Sequence, residues 1–189
     1  MKTLKTILAV TLMLAIMAGL SALMAEAYAV DTIIDETKTA VPSDEGVGRE
    51  PVFRLTEEGQ RMLARLVWLE VRGQSPECQR MICEVILNRL ASGIWGNTIT
   101  DVMFAEGQFP PVRWLYQVTD DTEGYAEVLD IVQTVCMEGC KLLPARTIFY
   151  CEFPFSWAVY EGYCEGCYFA SSVYYQVPDG MTWEEWNAE

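Results

Sequence analysis

The sequence predicts a mainly helical α+β domain in which helices come first and a small aromatic-rich β or extended part closes the chain. Three observations carry that prediction. Apolar residues recur at helical spacing from Met62 to Cys136, Gly and Pro interrupt them at intervals, and residues 147–175 hold 11 of the 22 aromatic side chains. At 189 residues the chain has room for one domain of ordinary size and a proper core.

The elements follow in order. Lys2 and Lys5 precede an apolar run from Ile7 to Ala25, and the triplets Ala25-Glu26-Ala27 and Ala27-Tyr28-Ala29 supply small-residue exits. That pattern reads as a secretory signal peptide over 1–29, with an uncleaved membrane anchor as the alternative. Residues 30–54 are acidic and broken by Pro42, Gly46, Gly48 and Pro51, which predicts a flexible linker. The domain proper is expected over 55–189. Thr56 is an N-cap, Glu57 and Glu58 suit a first turn, and Met62, Leu63, Leu66, Val67 and Glu70 recur until Gly73 stops the helix. Ser75-Pro76 opens a second helix with Met81, Ile82, Val85 and Ile86 as its stripe, ending near Ser92-Gly93. A short helix is expected over Thr100 to Ala105 and a longer one over Thr122 to Glu138, ended by Gly139. Thr147–Tyr150 and Tyr168–Tyr175 read as strands or extended loops, and the Trp183/Trp186 pair covers a core edge.

Composition excludes several chemistries. The chain has no histidine, so no Ser-His or Cys-His pair and no histidine-ligated zinc is possible. A net charge of −14 opposes binding to nucleic acid, which needs clustered Lys and Arg. No cofactor is expected. All seven cysteines lie beyond the linker: Cys78, Cys83, Cys136, Cys140, Cys151, Cys164 and Cys167. In an oxidising compartment they allow up to three disulfides with one thiol left over, in a pairing the sequence leaves open. Alternatively, Cys136-x3-Cys140 and Cys164-x2-Cys167 offer four thiolates to a structural zinc.

Glu70 carries the catalytic argument. It follows Val67, Leu66 and Leu63 by three, four and seven residues, so a helix puts its carboxylate on the apolar stripe. It also sits in the last turn, where the helix dipole disfavours negative charge. Both effects push the carboxyl pKa upward and suit a general acid. The competing reading pairs Glu70 with Arg65 or Arg72 to hold a helix end.

The run Leu63-Ala-Arg-Leu-Val-Trp-Leu-Glu70-Val-Arg72-Gly73 resembles the opening motif of the cell-wall hydrolase family typified by the spore-cortex-lytic enzyme of spore formers. The likeness continues through Glu77-Cys-Gln79, Val85-Ile-Leu-Asn88-Arg89, Asn97-Thr98, Asp101-Val102 and Gly107-Gln108-Phe109, in the family's order. It departs at Cys78, Cys83 and Glu84, and at Cys167, where the family carries histidine. The resemblance implies a lysozyme-like fold, cleavage of the peptidoglycan glycan strand as a lytic transglycosylase, and an acid role for Glu70. As substrate contacts it suggests Arg72, Gln79, Asn88, Gln108, Phe109, Tyr150 and Trp157. Structural readings compete for several of them: a buried hydrogen bond for Asn88 and core packing for the rings, while Arg89 of the same motif reads as a helix cap. Hydrolysis by water would need a second carboxylate, for which Glu84, Asp101 and Glu106 are candidates. A non-catalytic wall- or glycan-binding module, a cysteine-stapled interaction domain, and a muramidase- or amidase-type hydrolase are the alternatives.

Overall fold

The computed structural model describes residues 50–175 and 177–188. The expected signal peptide and most of the expected linker lie outside them. The first helix, α1, spans Glu57–Val71, with the Thr56 hydroxyl accepting from Gly59 N. Helix α2 spans Pro76–Ser92, capped by Ser75 and closed by Gly93. Gly93 has φ +67°, a left-handed stop that side-chain-bearing residues rarely adopt. Helix α3 is Ile99–Phe104, opened by a Thr98–Asp101 capping box. A 3-10 helix over Pro110–Gln117, absent from the sequence reading, follows it. Helix α4 is Tyr125–Glu138, three residues shorter at its start than expected, because Thr122 is used in a turn that accepts from Thr119 N.

Helix α2 is the spine of the domain. Residues 81–89 are buried without interruption, so this helix has no solvated face there. Leu63, Leu66 and Val67 of α1, Ile82, Val85 and Ile86 of α2, and Val128, Val132 and Val135 of α4 are fully excluded from water. Full burial of such a side chain stabilises by about 1.5–3 kcal/mol. The polar residues within the stretch, Glu84, Asn88 and Arg89, must therefore find partners inside the protein. The chain also joins this core before α1. Phe53, at the end of the expected linker, donates its N–H to Cys136 O at 2.9 Å and packs on the cluster.

The aromatic tail forms an antiparallel sheet in the order β1-β3-β2, from Phe149–Cys151, Ala158–Cys164 and Cys167–Ser172. Strand β2 was missed from sequence, because no apolar alternation survives in a strand with one open face and a glycine. The register pairs Tyr150 with Phe169 on one side and Gly162 with Phe169 on the other. Between Tyr160 and Gly162 the ladder shifts, leaving Glu161 as the extra residue of a β-bulge. A Cβ on Gly162 would stand 2.8 Å from the Met81 terminal methyl and 3.2 Å from a Leu143 methyl, so a side chain here requires the end of Met81 to move aside. Helix α5, Trp183–Asn187, folds back to seat Trp183 with Ile148 and Val177 in a small second core. Its indole donates to Ala145 O at 2.7 Å. No helix among the described residues is long and apolar enough to cross a membrane.

Candidate active site

The C-terminal turn of α1 delivers Glu70 to the inner face of the sheet. There the Tyr150 hydroxyl donates to Glu70 Oε2 at 2.7 Å. Glu70 Oε1 is buried and has no hydrogen-bond partner. Neither Arg65 nor Arg72 neutralises it: Arg65 faces Glu58, and the exposed Arg72 lies over the Trp68 ring at 5.4 Å. The helix-end ion pair considered from sequence is thus replaced by a half-buried carboxyl held by a phenol. Burial pushes the Glu70 pKa up, while the Tyr150 hydrogen bond and the Arg89 charge hold it back. Tyr150 is itself pushed up, first by burial and then by Glu70, so the phenol stays protonated and acts as a donor.

Arg89 is the functional residue that sequence reasoning missed. It caps no helix. It is 4% exposed, donates Nε to Ile148 O at 2.6 Å, and lies over the rings of Phe109 (4.7 Å) and Trp95 (4.8 Å). Burial lowers its pKa to about 10, so it remains cationic at neutral pH and acts on Glu70 from beyond contact distance. The available clue was its place in an all-buried helix, where a charge needs an internal reason.

The other predicted residues divide. Phe109 is buried and stacks on Tyr150 with centroids 6.4 Å apart, which fixes the tyrosine rather than a sugar. Asn88 is structural: its amide donates to Pro144 O at 3.0 Å and Thr147 O at 3.1 Å, anchoring the loop before β1. Gln79 donates to Gln74 O at 3.1 Å and closes the turn between α1 and α2. Gln108 reaches only Glu106 O within its own loop. Trp157 stacks on Phe155 at 5.4 Å and edges onto Phe149 at 5.0 Å, away from the Glu70–Tyr150 pair. Sequence placed these residues in one site; the fold joins Glu70, Tyr150, Arg89 and Phe109.

Two of the three second-carboxylate candidates have other work. Glu84 is fully buried and accepts from the N–H groups of Lys141, Leu142 and Leu143, each at 2.9 Å, and from Arg80 Nε at 3.1 Å. It clamps the chain after α4, and its carboxylate oxygens are fully used. Asp101 accepts from Asn97 N and Thr98 N in the α3 cap. Glu106 is exposed in a loop. The thiols do not form the suggested zinc site either. Cys136 and Cys140 stand with Cys83, whereas Cys164 and Cys167 stand with Cys78. The described residues contain no group of three or more Cys, Asp or Glu disposed around a metal ion. A shallow depression of about 400 Å³ lined by Pro76, Arg80, Asp130 and Leu142 contains none of the predicted site residues.

Residues 73–153 match the Cell Wall Hydrolase family, a segment that begins three residues after Glu70 and includes Arg89, Phe109 and Tyr150. The fold is similar to that of the catalytic domain of the germination-specific lytic transglycosylase SleB from Bacillus anthracis. That likeness has a TM-score of 0.52 at 20% identity and covers 62% of this chain and 97% of the other. No curated protein matches. A mainly helical domain with a small antiparallel sheet and the order of motifs from Gly73 onward agree with both comparisons: residues 73–153 match the Cell Wall Hydrolase family, on a fold similar to that of the SleB catalytic domain.

Proposed function

We propose that this chain is an exported enzyme that cleaves the peptidoglycan glycan strand as a lytic transglycosylase, using Glu70 as its single acid–base group. The observation that carries the reading is the half-buried Glu70 carboxyl, with one oxygen bound by Tyr150 and the other unpartnered. Burial pushes its pKa up, the direction a general acid needs, and Glu70 protonates the glycosidic oxygen leaving from the muramic acid. The substrate oxygen takes the place of the missing partner of Oε1. The carboxylate that results is stabilised by the Tyr150 O–H bond and the Arg89 charge. It then accepts the proton of the sugar's own C6 hydroxyl as that oxygen closes on C1, leaving a 1,6-anhydro end and restoring the acid.

Economy of groups favours this outcome over hydrolysis. A muramidase needs a second carboxylate beside the sugar. Glu84 is saturated by three amides and Arg80, and Asp101 is occupied as a cap. Export is read from the N-terminal sequence and agrees with a substrate outside the cytoplasm. The test is mass spectrometry of muropeptides after digestion in ¹⁸O water. Anhydro ends without heavy oxygen are expected, and heavy oxygen at the new muramic acid end overturns the transglycosylase reading. Glu70→Gln keeps size and shape but neither gives nor takes a proton, so cleavage should fall by roughly 10²–10⁴ with the fold intact. A variant that keeps its cleavage rate excludes Glu70 as the acid.

A further inference from the structure

The mechanism leaves seven thiols unused, and all are free in this structure. Three of them converge where the first turn of α2 meets the β2–β3 hairpin. Cys164 and Cys167 are directly opposed across the two-residue turn Glu165-Gly166, and strand alternation puts Cys167 on the same inner side as Phe169. Cys78 faces them from α2. Its Sγ lies 3.7 Å from Cys164 O, and its N–H is capped by Ser75 Oγ, which stands 3.8 Å from Cys164 Sγ. The junction is tightened by Glu165, whose carboxylate accepts from Ser75 N at 2.9 Å. Cys151 belongs to the other side of the sheet, since its register partner is Tyr168. Cys83, Cys136 and Cys140 form a separate group around the C-terminal end of α4, where Cys140 Sγ lies 3.7 Å from Glu84 O.

We propose that Cys78 forms a disulfide with the hairpin, to Cys164 in the first instance, with Cys167 as the adjacent thiol able to exchange into the bond. The reaction joins two sulfurs and releases two protons and two electrons. The acceptor is an external disulfide, which is reduced to two thiols. In the reduced protein the Cys78 thiol donates to Gln74 Oε1 at 2.6 Å, and that contact is given up on oxidation. Burial also pushes the Cys78 thiol up, which makes its thiolate scarce in the folded domain. The bond therefore forms while the chain folds, before α2 and the hairpin close over their sulfurs. Its effect is to tie α2 to the sheet that presents Tyr150.

The proposal rests on the export reading only for the supply of oxidant, and the test provides one directly. The purified full chain is reduced, unfolded and refolded in a glutathione redox buffer, then digested and mapped for linked peptides. The same map is made on full chain exported to a bacterial periplasm, so that poor refolding leaves a readout. A peptide joining Cys78 to Cys164 or Cys167 is expected in both, and it should persist in Cys151→Ser. A Cys164–Cys167 link, a bond from Cys78 to any other cysteine, or an unlinked Cys78 overturns it. Both preparations supply the oxidant, so the result bears on the disulfide alone, and the export reading is tested separately by secretion of the chain with its own N-terminal segment.

Discussion

Tyr150→Phe removes the one oxygen atom that hydrogen-bonds the Glu70 carboxyl. The hydroxyl bonds Glu70 Oε2 at 2.7 Å and Oε1 has no partner, so the variant leaves a buried carboxyl bonded at neither oxygen. A hydrogen bond to an ionised group contributes about 1.5–3 kcal/mol and one to a neutral group about 0.5–1.5 kcal/mol. The stability loss should therefore be about 2 kcal/mol where Glu70 is ionised and about 1 kcal/mol where it is protonated. For a domain of this size roughly 3–4 °C of melting temperature accompanies each kcal/mol, giving a drop of about 6–8 °C in alkali against 3–4 °C in acid. The hydroxyl also holds the Glu70 pKa down against burial, so its removal lets that pKa rise further. The basic limb of the pH–rate profile should then move to higher pH, with a lower maximum. Calorimetry at pH 4 and pH 9, with muropeptide release measured across the same range, reads both effects. Equal losses at the two pH values, or a basic limb that stays in place, would refute the coupling of Tyr150 to Glu70.

Glu70→Gln should also change stability with a definite sign. Because burial raises this carboxyl above its ordinary 4.5, its contribution is complete below that value and is lost as pH rises through the raised one. The glutamine variant should melt above the parent at pH 8 and not at pH 4, as differential scanning calorimetry would show. Glu84→Gln leaves three backbone amides and Arg80 sharing a neutral acceptor, and should cost about 3–5 kcal/mol in denaturant unfolding. The fraction that folds should retain its cleavage rate; a rate loss beyond the unfolded fraction would return Glu84 to the mechanism. Reduction of the exported protein should lower its melting temperature. A Cys78–Cys164 bond closes a span of 86 residues, for which chain entropy gives about 4.6 kcal/mol.

The helices were legible in the sequence because their caps and stripes are local. Thr56, Ser75 and Gly93 act where they were placed, and Glu70 lies on the apolar stripe that its spacing required. Glu70's partner was not legible as a partner. Tyr150 was expected to stack on sugar, and only the sheet register, set 80 residues away, brings its hydroxyl to the carboxylate. Arg89 and Glu84 were misread, and Asn88 was left between a buried hydrogen bond and a sugar contact, for one reason. Each was judged by residue type, as a cap, a sugar contact or a second carboxylate, whereas each sits in a helix buried on all sides. In that setting a polar side chain is committed to whatever loop crosses it: Asn88 to residues 144 and 147, Arg89 to Ile148, Glu84 to residues 141–143. The strand β2 and the 3-10 helix were lost because neither has a periodic pattern to read.

The single extra residue in β2 sets how this domain tolerates changes in length. Glu161 stands outside the ladder, and its carboxylate grips Arg146, which in turn holds Asp179 and Val177 O in the C-terminal tail. Deleting it would make the ladder continuous, with Tyr160 still opposite Ala170 and Gly162 still opposite Phe169, and would remove the carboxylate that Arg146 binds. The tail would lose its tie in the same event. Strand and tail are therefore fastened by one residue that belongs to neither pattern. A chain shortened there would keep its strand register and lose its hold on the tail, so the cost of the deletion falls on the C-terminal segment rather than on the sheet.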